Sequence, residues 1–164
     1  MADTISKENR SRNMAAIRNR NTKPEVYLRK LLFSRGYRYR KNDARIIGHP
    51  DMYLSKFKVA IFVNGCFWHR HQGCKYAYMP KSHVDFWKRK FCTNIQRDKT
   101  VRLQLQNDGI RCLTVWECTV RKMLRDAIYE KEVLDAIEGF MADDLTFMEI
   151  PDSHDSHNAG SFPL

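Results

Sequence analysis

A short apolar segment that leads directly into a loop rich in cysteine and histidine constrains the fold of this chain most. Residues 59–63 (Val-Ala-Ile-Phe-Val) have the composition of a strand that is buried on both faces. The next residues, 64–74 (Asn-Gly-Cys-Phe-Trp-His-Arg-His-Gln-Gly-Cys), combine metal-ligand types, a candidate general base and two large aromatic side chains. The strand therefore delivers these side chains to one fixed place.

The size and charge of the chain predict one domain that binds a polyanion. With 164 residues, 43% of them hydrophobic, the chain can bury a single core. Residues 126–164 carry ten of the 19 acidic residues and one basic residue, so residues 1–125 hold 28 Lys and Arg against nine acids. This segregation favours nucleic acid as the partner, with an anionic membrane as the weaker alternative.

The N-terminal sequence and the cysteine count predict a cytoplasmic protein with reduced thiols. Residues 1–4 (Met-Ala-Asp-Thr) lack the charged start and apolar block of a signal peptide, and no apolar run is long enough to cross a bilayer. The odd number of cysteines, five, favours free thiols or a metal site over a disulfide framework.

Periodicity and turn residues divide the chain into a basic N-terminal arm (residues 1–21), an α/β domain (22–142) and an acidic, disordered tail (143–164). Within the domain, the predicted helices cover about 22–35, 82–107 and 123–141, and the predicted strands 37–40, 51–54, 58–63 and 110–116. Only a short link separates 51–54 from 58–63, which predicts an antiparallel hairpin. Its register places Asp51 beside Phe62 or Val63, at the mouth of the cysteine and histidine loop.

Asp51 is the candidate catalytic carboxylate, because a carboxylate at this position can hold a divalent cation that polarises a phosphodiester. The alternative is an aspartate that merely completes a turn after proline. His69 is a candidate general acid or base, since its imidazole and that of His71 point in opposite directions in an extended loop. Asp98 can orient His69 or be an ordinary helix-surface residue. Glu25 can serve the metal or act only as the acid of a helix capping box.

Cys66, His71 and Cys74 form a candidate zinc site that needs a fourth ligand, because structural zinc is normally four-coordinate. Cys118, just beyond a predicted strand, is the preferred fourth ligand and His69 is the alternative. Both thiols of the loop can instead be simply buried. The remaining two cysteines are predicted to be small core residues: Cys92 in a helix and Cys112 in a strand.

Phe67, Trp68 and Trp87 are candidate DNA-contacting residues. Adjacent aromatic rings in a polar loop can wedge between base pairs or stack on an unpaired base. The alternative is ordinary core packing.

Five motifs follow one another between residues 8 and 140. They are Arg-Ser-Arg-Asn-Met-Ala-Ala-Ile at 10–17, Thr-Lys-Pro-Glu at 22–25, Gly-His-Pro-Asp at 48–51, Gly-Cys-Phe-Trp-His at 65–69 and Val-Trp-Glu-Cys at 115–118. In sequence and order they resemble the motifs of the very-short-patch repair (Vsr) DNA mismatch endonucleases. The resemblance implies a restriction-endonuclease-like α/β fold, with a central mixed β-sheet flanked by helices and a structural zinc site.

The resemblance also implies an activity and partners. The activity is a magnesium-dependent nick 5′ to the thymine of a T:G mismatch, the lesion left when 5-methylcytosine deaminates, which starts very-short-patch repair. The implied partners are double-stranded DNA with that mismatch, mismatch-repair proteins and a cognate cytosine-5 DNA methyltransferase. We expect a bacterial, nucleoid-associated monomer without membrane contact.

The resemblance assigns the functional roles of the family to the candidate residues named above. Magnesium would be bound by Asp51 and the backbone carbonyl of Val63, His69 would activate water, and the other catalytic positions are Glu25, Asn64 and Asp98. Zinc would be held by Cys66, His71, Cys74 and Cys118. The DNA-binding positions would be Phe67, Trp68, Trp87, Arg10, Arg12, Arg18 and Arg20.

The chain departs from the best-known family form at a few positions. Asn64 replaces a second active-site histidine and Val63 replaces a threonine, and the loop between His71 and Cys74 is one residue longer. Asparagine cannot shuttle a proton, although its amide can hold a phosphate or a water. Two other functions compete with the family reading: a sequence-specific restriction or nicking endonuclease on the same fold, and a non-catalytic zinc-containing DNA-binding protein.

Overall fold

Strands β1 (Met52–Leu54) and β2 (Val59–Asn64) form the hairpin that the sequence predicts. In the computed structural model, which describes residues 6–16 and 20–151, Met52 pairs with Ile61 and Leu54 pairs with Val59. This register sets Asp51, one residue before β1, against the last residues of β2. The predicted pairing is therefore confirmed.

The hairpin belongs to a four-stranded mixed sheet. Strand β3 (Arg111–Trp116) runs parallel to β2, and strand β4 (Phe147–Ile150) runs parallel to β3, which gives the order β1-β2-β3-β4. Parallel neighbours need a crossover connection. The described helices are α1 (Lys7–Ala16), α2 (Lys23–Ser34), α3 (Val84–Asn107), α4 (Glu117–Met123) and α5 (Ala127–Ala142), and α3 is the crossover between β2 and β3.

Alternate side chains of the central strands enter two separate cores, because successive residues of a strand point to opposite faces of the sheet. Val59 and Ile61 of β2 face the larger core, which also holds buried residues of α2, α4 and α5 such as Leu28 and Ile137. Ala60 lies in the smaller core with Leu105 of α3. The expected mixed sheet flanked by helices is confirmed.

Two predicted elements have different bounds in the structure. Residues 37–40 form no strand, and Arg40 makes only an isolated bridge to Tyr53. The helix predicted over 123–141 is α5, which begins four residues later because the side chain of Asp126 accepts a hydrogen bond from the backbone N–H of Tyr129 and caps the helix there. The short helix α4, which ends at Met123, was not predicted.

The first part of the predicted disordered tail is ordered, which corrects the boundary at residue 143. Residues 147–150 form β4, where Ile150 is buried beside the core, and the hydroxyl of Thr119 donates to the carbonyl of Ile150 at 3.0 Å. Pairing with the edge of β3 and partial burial of Phe147, Met148 and Ile150 stabilise this strand despite its acidic neighbours. Residues 152–164 lie outside the described residues. Among the described helices, none is long and apolar enough to cross a membrane.

Candidate active site and metal centre

A tight turn delivers Asp51 to the end of the hairpin. Gly48 has a positive φ of 79°, and a Cβ atom at this position would lie 2.4 Å from the Cγ1 atom of Val101. Only glycine fits this close approach. After the turn, the Oδ2 atom of Asp51 accepts a hydrogen bond from the backbone N–H of Val63 at 2.7 Å. The carboxylate of Asp51 is thereby fixed at the end of β2 with its second oxygen available for other interactions.

The environment of Asp51 disfavours its negative charge. Burial, with a smaller contribution from the nearby carboxylate of Glu25, raises the pKa of its carboxyl group to about 6, against the opposing effects of the Val63 N–H, Arg29 and His69. A carboxylate in this condition gains stability from a cation placed beside it. The site is therefore electrostatically suited to a divalent metal ion.

His69 forms a close pair with Asp98 of α3. Its Nδ1 atom lies 2.5 Å from the Oδ2 atom of Asp98. With Nδ1–H donating to the carboxylate, the Nε2 atom of His69 is the one that can accept a proton. Asp51, His69 and Asp98 line one cleft of about 650 Å³. The structure thus brings these three predicted residues together.

Glu25 makes the capping contacts that the sequence predicts and also lies at the cleft. Its carboxylate accepts hydrogen bonds from the backbone N–H of Asn21 and the hydroxyl of Thr22, both at 2.8 Å, as a capping acid does. Glu25 is also buried, and it lines the same cleft as Asp51. Asn64, half-buried at the end of β2, is a further lining residue.

The four predicted zinc ligands form one cluster. The ligand atoms of Cys66, His71, Cys74 and Cys118 all lie within 4.8 Å of one another. Tetrahedral zinc with Zn–S bonds of about 2.3 Å requires ligand atoms about 3.8 Å apart, which this donor set can reach with a small adjustment. Among the described residues, only this group of Cys, His and acidic side chains forms such a cluster. His69 is not part of it, so Cys118 fits the fourth position.

Contacts around His71 show how the cluster of predicted zinc ligands is held. Its Nδ1 atom lies 3.3 Å from the Sγ atom of Cys118, and its ring stacks on Trp116 with centroids 4.3 Å apart. A hydrogen bond from Cys66, assisted by His71, lowers the pKa of the Cys118 thiol to about 4, while the same bond raises the pKa of Cys66. The cluster therefore already favours a thiolate, which is the form that binds a metal.

The three predicted aromatic residues form one group with Phe67 at its centre. The Phe67 ring lies 5.1 Å from Trp68, 5.3 Å from Trp87 and 5.1 Å from the exposed Tyr78, measured between centroids. Phe91 closes the group from the buried side of α3. Phe67, Trp68 and Trp87 are each partly exposed. The group therefore is packed together and is also partly open to solvent. Both predicted alternatives, DNA contact and packing within the protein, are compatible with this arrangement.

Comparison with known proteins identifies the family of this chain. The family model of the DNA mismatch endonuclease Vsr matches residues 2–75. The DNA mismatch endonuclease Vsr of Escherichia coli is 39% identical over 134 residues, which are 80% of this chain and 85% of that protein. This chain belongs to the Vsr family.

Other relatives are named Type II nicking enzymes. Type II nicking enzyme V.NmeAIP of Neisseria meningitidis serogroup A is 40% identical over 141 residues, 84% of this chain and 100% of that protein. Type II nicking enzyme V.HpaIIP of Haemophilus parainfluenzae is 39% identical over 137 residues, 79% of this chain and 97% of that protein. As a Vsr-family member the chain is a DNA endonuclease, a hydrolase of phosphodiester bonds, which excludes the non-catalytic alternative.

The remaining predicted positions of this Vsr-family chain are four arginines and two cysteines. Arg12 and Arg20 are exposed, whereas Arg18 and the side chain of Arg10 lie outside the described residues. Cys112 is buried in β3 as predicted. The prediction for Cys92 is wrong, because this residue faces solvent on α3.

Sequence reasoning missed two residues of the Vsr-family site. Arg29 follows Glu25 by four residues, the spacing of a helical ion pair, and this signal was present in the sequence. Glu149 of β4 accepts a hydrogen bond from the indole N–H of Trp116 at 2.5 Å and lines the cleft. No sequence signal marked Glu149, because its segment is acidic and follows a clear helix end.

Proposed function

We propose that this Vsr-family enzyme makes a magnesium-dependent nick in one DNA strand, 5′ to the thymine of a T:G mismatch, and so starts very-short-patch repair. The observation that carries the proposal is that Asp51 and the His69–Asp98 pair line one cleft. That cleft holds a carboxylate for a cation and an oriented base for water. The sheet order and the position of Asp51 at its hairpin also support a restriction-endonuclease-like fold.

The residues at the hairpin fit magnesium. Mg²⁺ prefers oxygen ligands, and the carboxylate of Asp51 together with the backbone carbonyl of Val63 would supply them. Burial raises the pKa of Asp51 to about 6, so an adjacent cation would stabilise its ionised form. When bound, the metal supplies charge that polarises the phosphodiester and increases the acidity of water.

His69 is the general base of the proposed reaction. Asp98 holds Nδ1, so Nε2 takes a proton from the attacking water as the new O–P bond forms and one P–O bond of the backbone breaks. The resulting imidazolium is stabilised by the carboxylate of Asp98. The leaving oxygen takes up a proton from solvent water, and the imidazolium of His69 later returns its proton to solvent. Asn64 holds a phosphate oxygen or the water by hydrogen bonds, and Glu25 supports the centre from α2.

Zinc, held by Cys66, His71, Cys74 and Cys118, has a structural role in this proposal. All four positions are protein side chains, which is typical of closed structural sites. By fixing the loop, the zinc would place His69 on one side of it and the aromatic residues on the other. Loss of zinc should therefore disturb catalysis and recognition together.

The aromatic group provides the mismatch preference. A T:G pair stacks less well than a matched pair, so inserting Phe67, Trp68 or Trp87 beside it costs less unstacking energy. The exposed Arg12 and Arg20 add contacts with phosphates that do not depend on sequence.

Nicking assays on paired duplexes test the proposal. Duplexes that differ only in a T:G or a T:A pair are incubated with wild-type protein and Mg²⁺, together with the Asp51→Ala variant. We expect a nick 5′ to the mismatched thymine with wild type, and binding without nicking for Asp51→Ala, because this change removes a metal ligand and no phosphate contact.

A second candidate function is a sequence-specific nicking endonuclease that does not need a mismatch, and the names of the Type II nicking relatives favour it. Equal nicking of T:G and T:A duplexes, or efficient cutting of both strands of matched DNA, would replace the repair function with this candidate. A panel of flanking sequences in the same assay would define the sequence context.

A further inference from the structure

Arg29 is a buried cation next to the proposed centre. It lies on α2, one helical turn after Glu25, and only 4% of its surface is exposed. Burial of a guanidinium is unfavourable unless its N–H groups are paired. Each of its nitrogen atoms donates to a different residue: Nε to the carbonyl of Asp51 at 3.3 Å, Nη1 to Oδ1 of Asn21 at 2.7 Å and Nη2 to Oε2 of Glu25 at 3.2 Å.

The three acceptors come from separate parts of the chain. Asn21 ends the N-terminal arm, Glu25 lies in the first turn of α2, and Asp51 precedes β1. Arg29 is therefore a three-way link that joins the helix to the peptide of the proposed metal-binding carboxylate. A hydrogen bond from the phenol of Tyr39 to the carbonyl of Arg29, at 3.1 Å, holds this turn of the helix in place.

We propose that Arg29 is a positioning residue of the active centre, which orients the Asp51 peptide and balances the charge of Glu25 so that Asp51 is the one uncompensated carboxylate that faces the cation. This inference rests on the proposed function, in which Asp51 binds magnesium. It assigns the orientation of Asp51 to a residue that does not itself touch the reacting groups.

Charge and geometry predict separable effects for two substitutions. Arg29, Glu25 and Asp51 together carry a net charge of about −1 when both carboxylates are ionised, and Arg29→Met changes this to about −2. Affinity for divalent cations rises with the negative charge of the site, so the Met variant should bind Mg²⁺ more tightly while it holds Asp51 less well. Arg29→Lys keeps the charge, but a single ammonium cannot reproduce the planar fork of donors.

The experiment measures cation binding and nicking separately on the full chain with its zinc. Mg²⁺ binding is measured by isothermal titration calorimetry without DNA. Single-turnover nicking of the T:G duplex is measured at saturating Mg²⁺. The matched control is Arg35→Met, because Arg35 follows the same helix and pairs with Glu138 at the surface. Asp51→Asn identifies the part of the binding heat that belongs to the centre.

We expect Arg29→Met to bind Mg²⁺ roughly 10-fold more tightly and to nick at least about 10-fold more slowly than wild type. Arg29→Lys should keep the wild-type Mg²⁺ affinity and nick more slowly, and Arg35→Met should change neither quantity. A folded Arg29→Met variant with wild-type affinity and rate would overturn the inference. If that variant does not fold, a wild-type nicking rate for Arg29→Lys would overturn it.

The two proposals fail in different ways. Wild-type protein that does not nick the T:G duplex would contradict the proposed function, whereas the calorimetric comparison of wild type with Arg29→Met would still decide whether Arg29 sets the charge of the site. A circular dichroism melt of each variant identifies the temperature range in which it is folded, and all comparisons are made within that range.

Discussion

The Nδ1 atom of His69 lies 2.5 Å from the Oδ2 atom of Asp98, although 29 residues separate them in sequence. This pair joins the cysteine and histidine loop to α3 and leaves Nε2 of His69 as the ring nitrogen that can accept a proton. In the proposed reaction, the carboxylate both selects this tautomer and stabilises the imidazolium that forms when the attacking water loses its proton.

Asp98→Asn should therefore slow nicking by about 10²-fold, because the amide can hold His69 in the wrong tautomer and cannot stabilise its charge. DNA affinity should stay within about twofold of wild type, since Asp98 makes no phosphate contact in the proposed mechanism. Single-turnover nicking rates and binding titrations measure the two quantities. A matched control is Asp108→Asn, at the exposed C-terminal end of the same helix. An unchanged rate in Asp98→Asn would remove His69 from the role of oriented base.

Asp51→Asn should abolish nicking and yet stabilise the metal-free protein at neutral pH. Because burial raises the pKa of Asp51 to about 6, the folded state binds its proton more tightly than the unfolded state does. The carboxyl group thus favours folding at pH below about 4, and this contribution is lost as pH rises to about 6. The substitution should gain up to about 3 kcal/mol relative to wild type across that range.

Urea unfolding of both proteins at several pH values, with EDTA-free buffer and no added magnesium, checks this sign. Asp43→Asn provides the opposite case, because hydrogen bonds from Arg45 lower the pKa of Asp43 to about 2. Its carboxylate favours folding above pH about 4, and this contribution is lost as pH falls toward 2. Should Asp51→Asn be less stable than wild type at pH 7, Asp51 would carry a structural role that outweighs its desolvation.

Some residues of the site could be predicted from the sequence and others could not. The register of Asp51 followed from the length of the link between two strands, and the cysteine and histidine cluster followed from residue types, because few side chains are suited to bind zinc. Arg29 was less visible, since its proposed role depends on a hydrogen bond to the carbonyl of Asp51, 22 residues away, which no local pattern reveals. The strand β4 was missed because it is stabilised by pairing with β3, a tertiary contact between residues 35 positions apart such as Cys112 and Phe147.

Trp68→Ala should reduce the preference for the mismatch more than it reduces general DNA affinity. The Trp68 ring packs edge-on against Phe67, and the side-chain amide of Asn94 donates a hydrogen bond to the backbone carbonyl of Trp68 at 2.9 Å, so the position of Trp68 is defined before DNA binds. Removing one stacking ring costs about 1–3 kcal/mol where a base contacts it. Affinities for T:G and T:A duplexes at two salt concentrations measure the effect, with Phe33→Ala as a control for an exposed ring elsewhere. Equal losses on both duplexes would argue against the wedge.

Cys118→Ser should release the metal and destabilise the loop that carries His69 and the aromatic group. Wild-type protein should contain about one zinc ion per chain, because four protein ligands complete a tetrahedral site. The variant should lose most of its zinc to a chelator and unfold at a lower temperature, since metal binding free energy contributes directly to folding. Cys92→Ser is the matched control: its thiol is exposed on α3, away from the cluster. Elemental analysis and a thermal melt measure both effects. Purified wild type without zinc would show that the four side chains are held together without a metal. A Cys118→Ser variant that keeps its zinc as well as Cys92→Ser does would show that Cys118 is not a ligand.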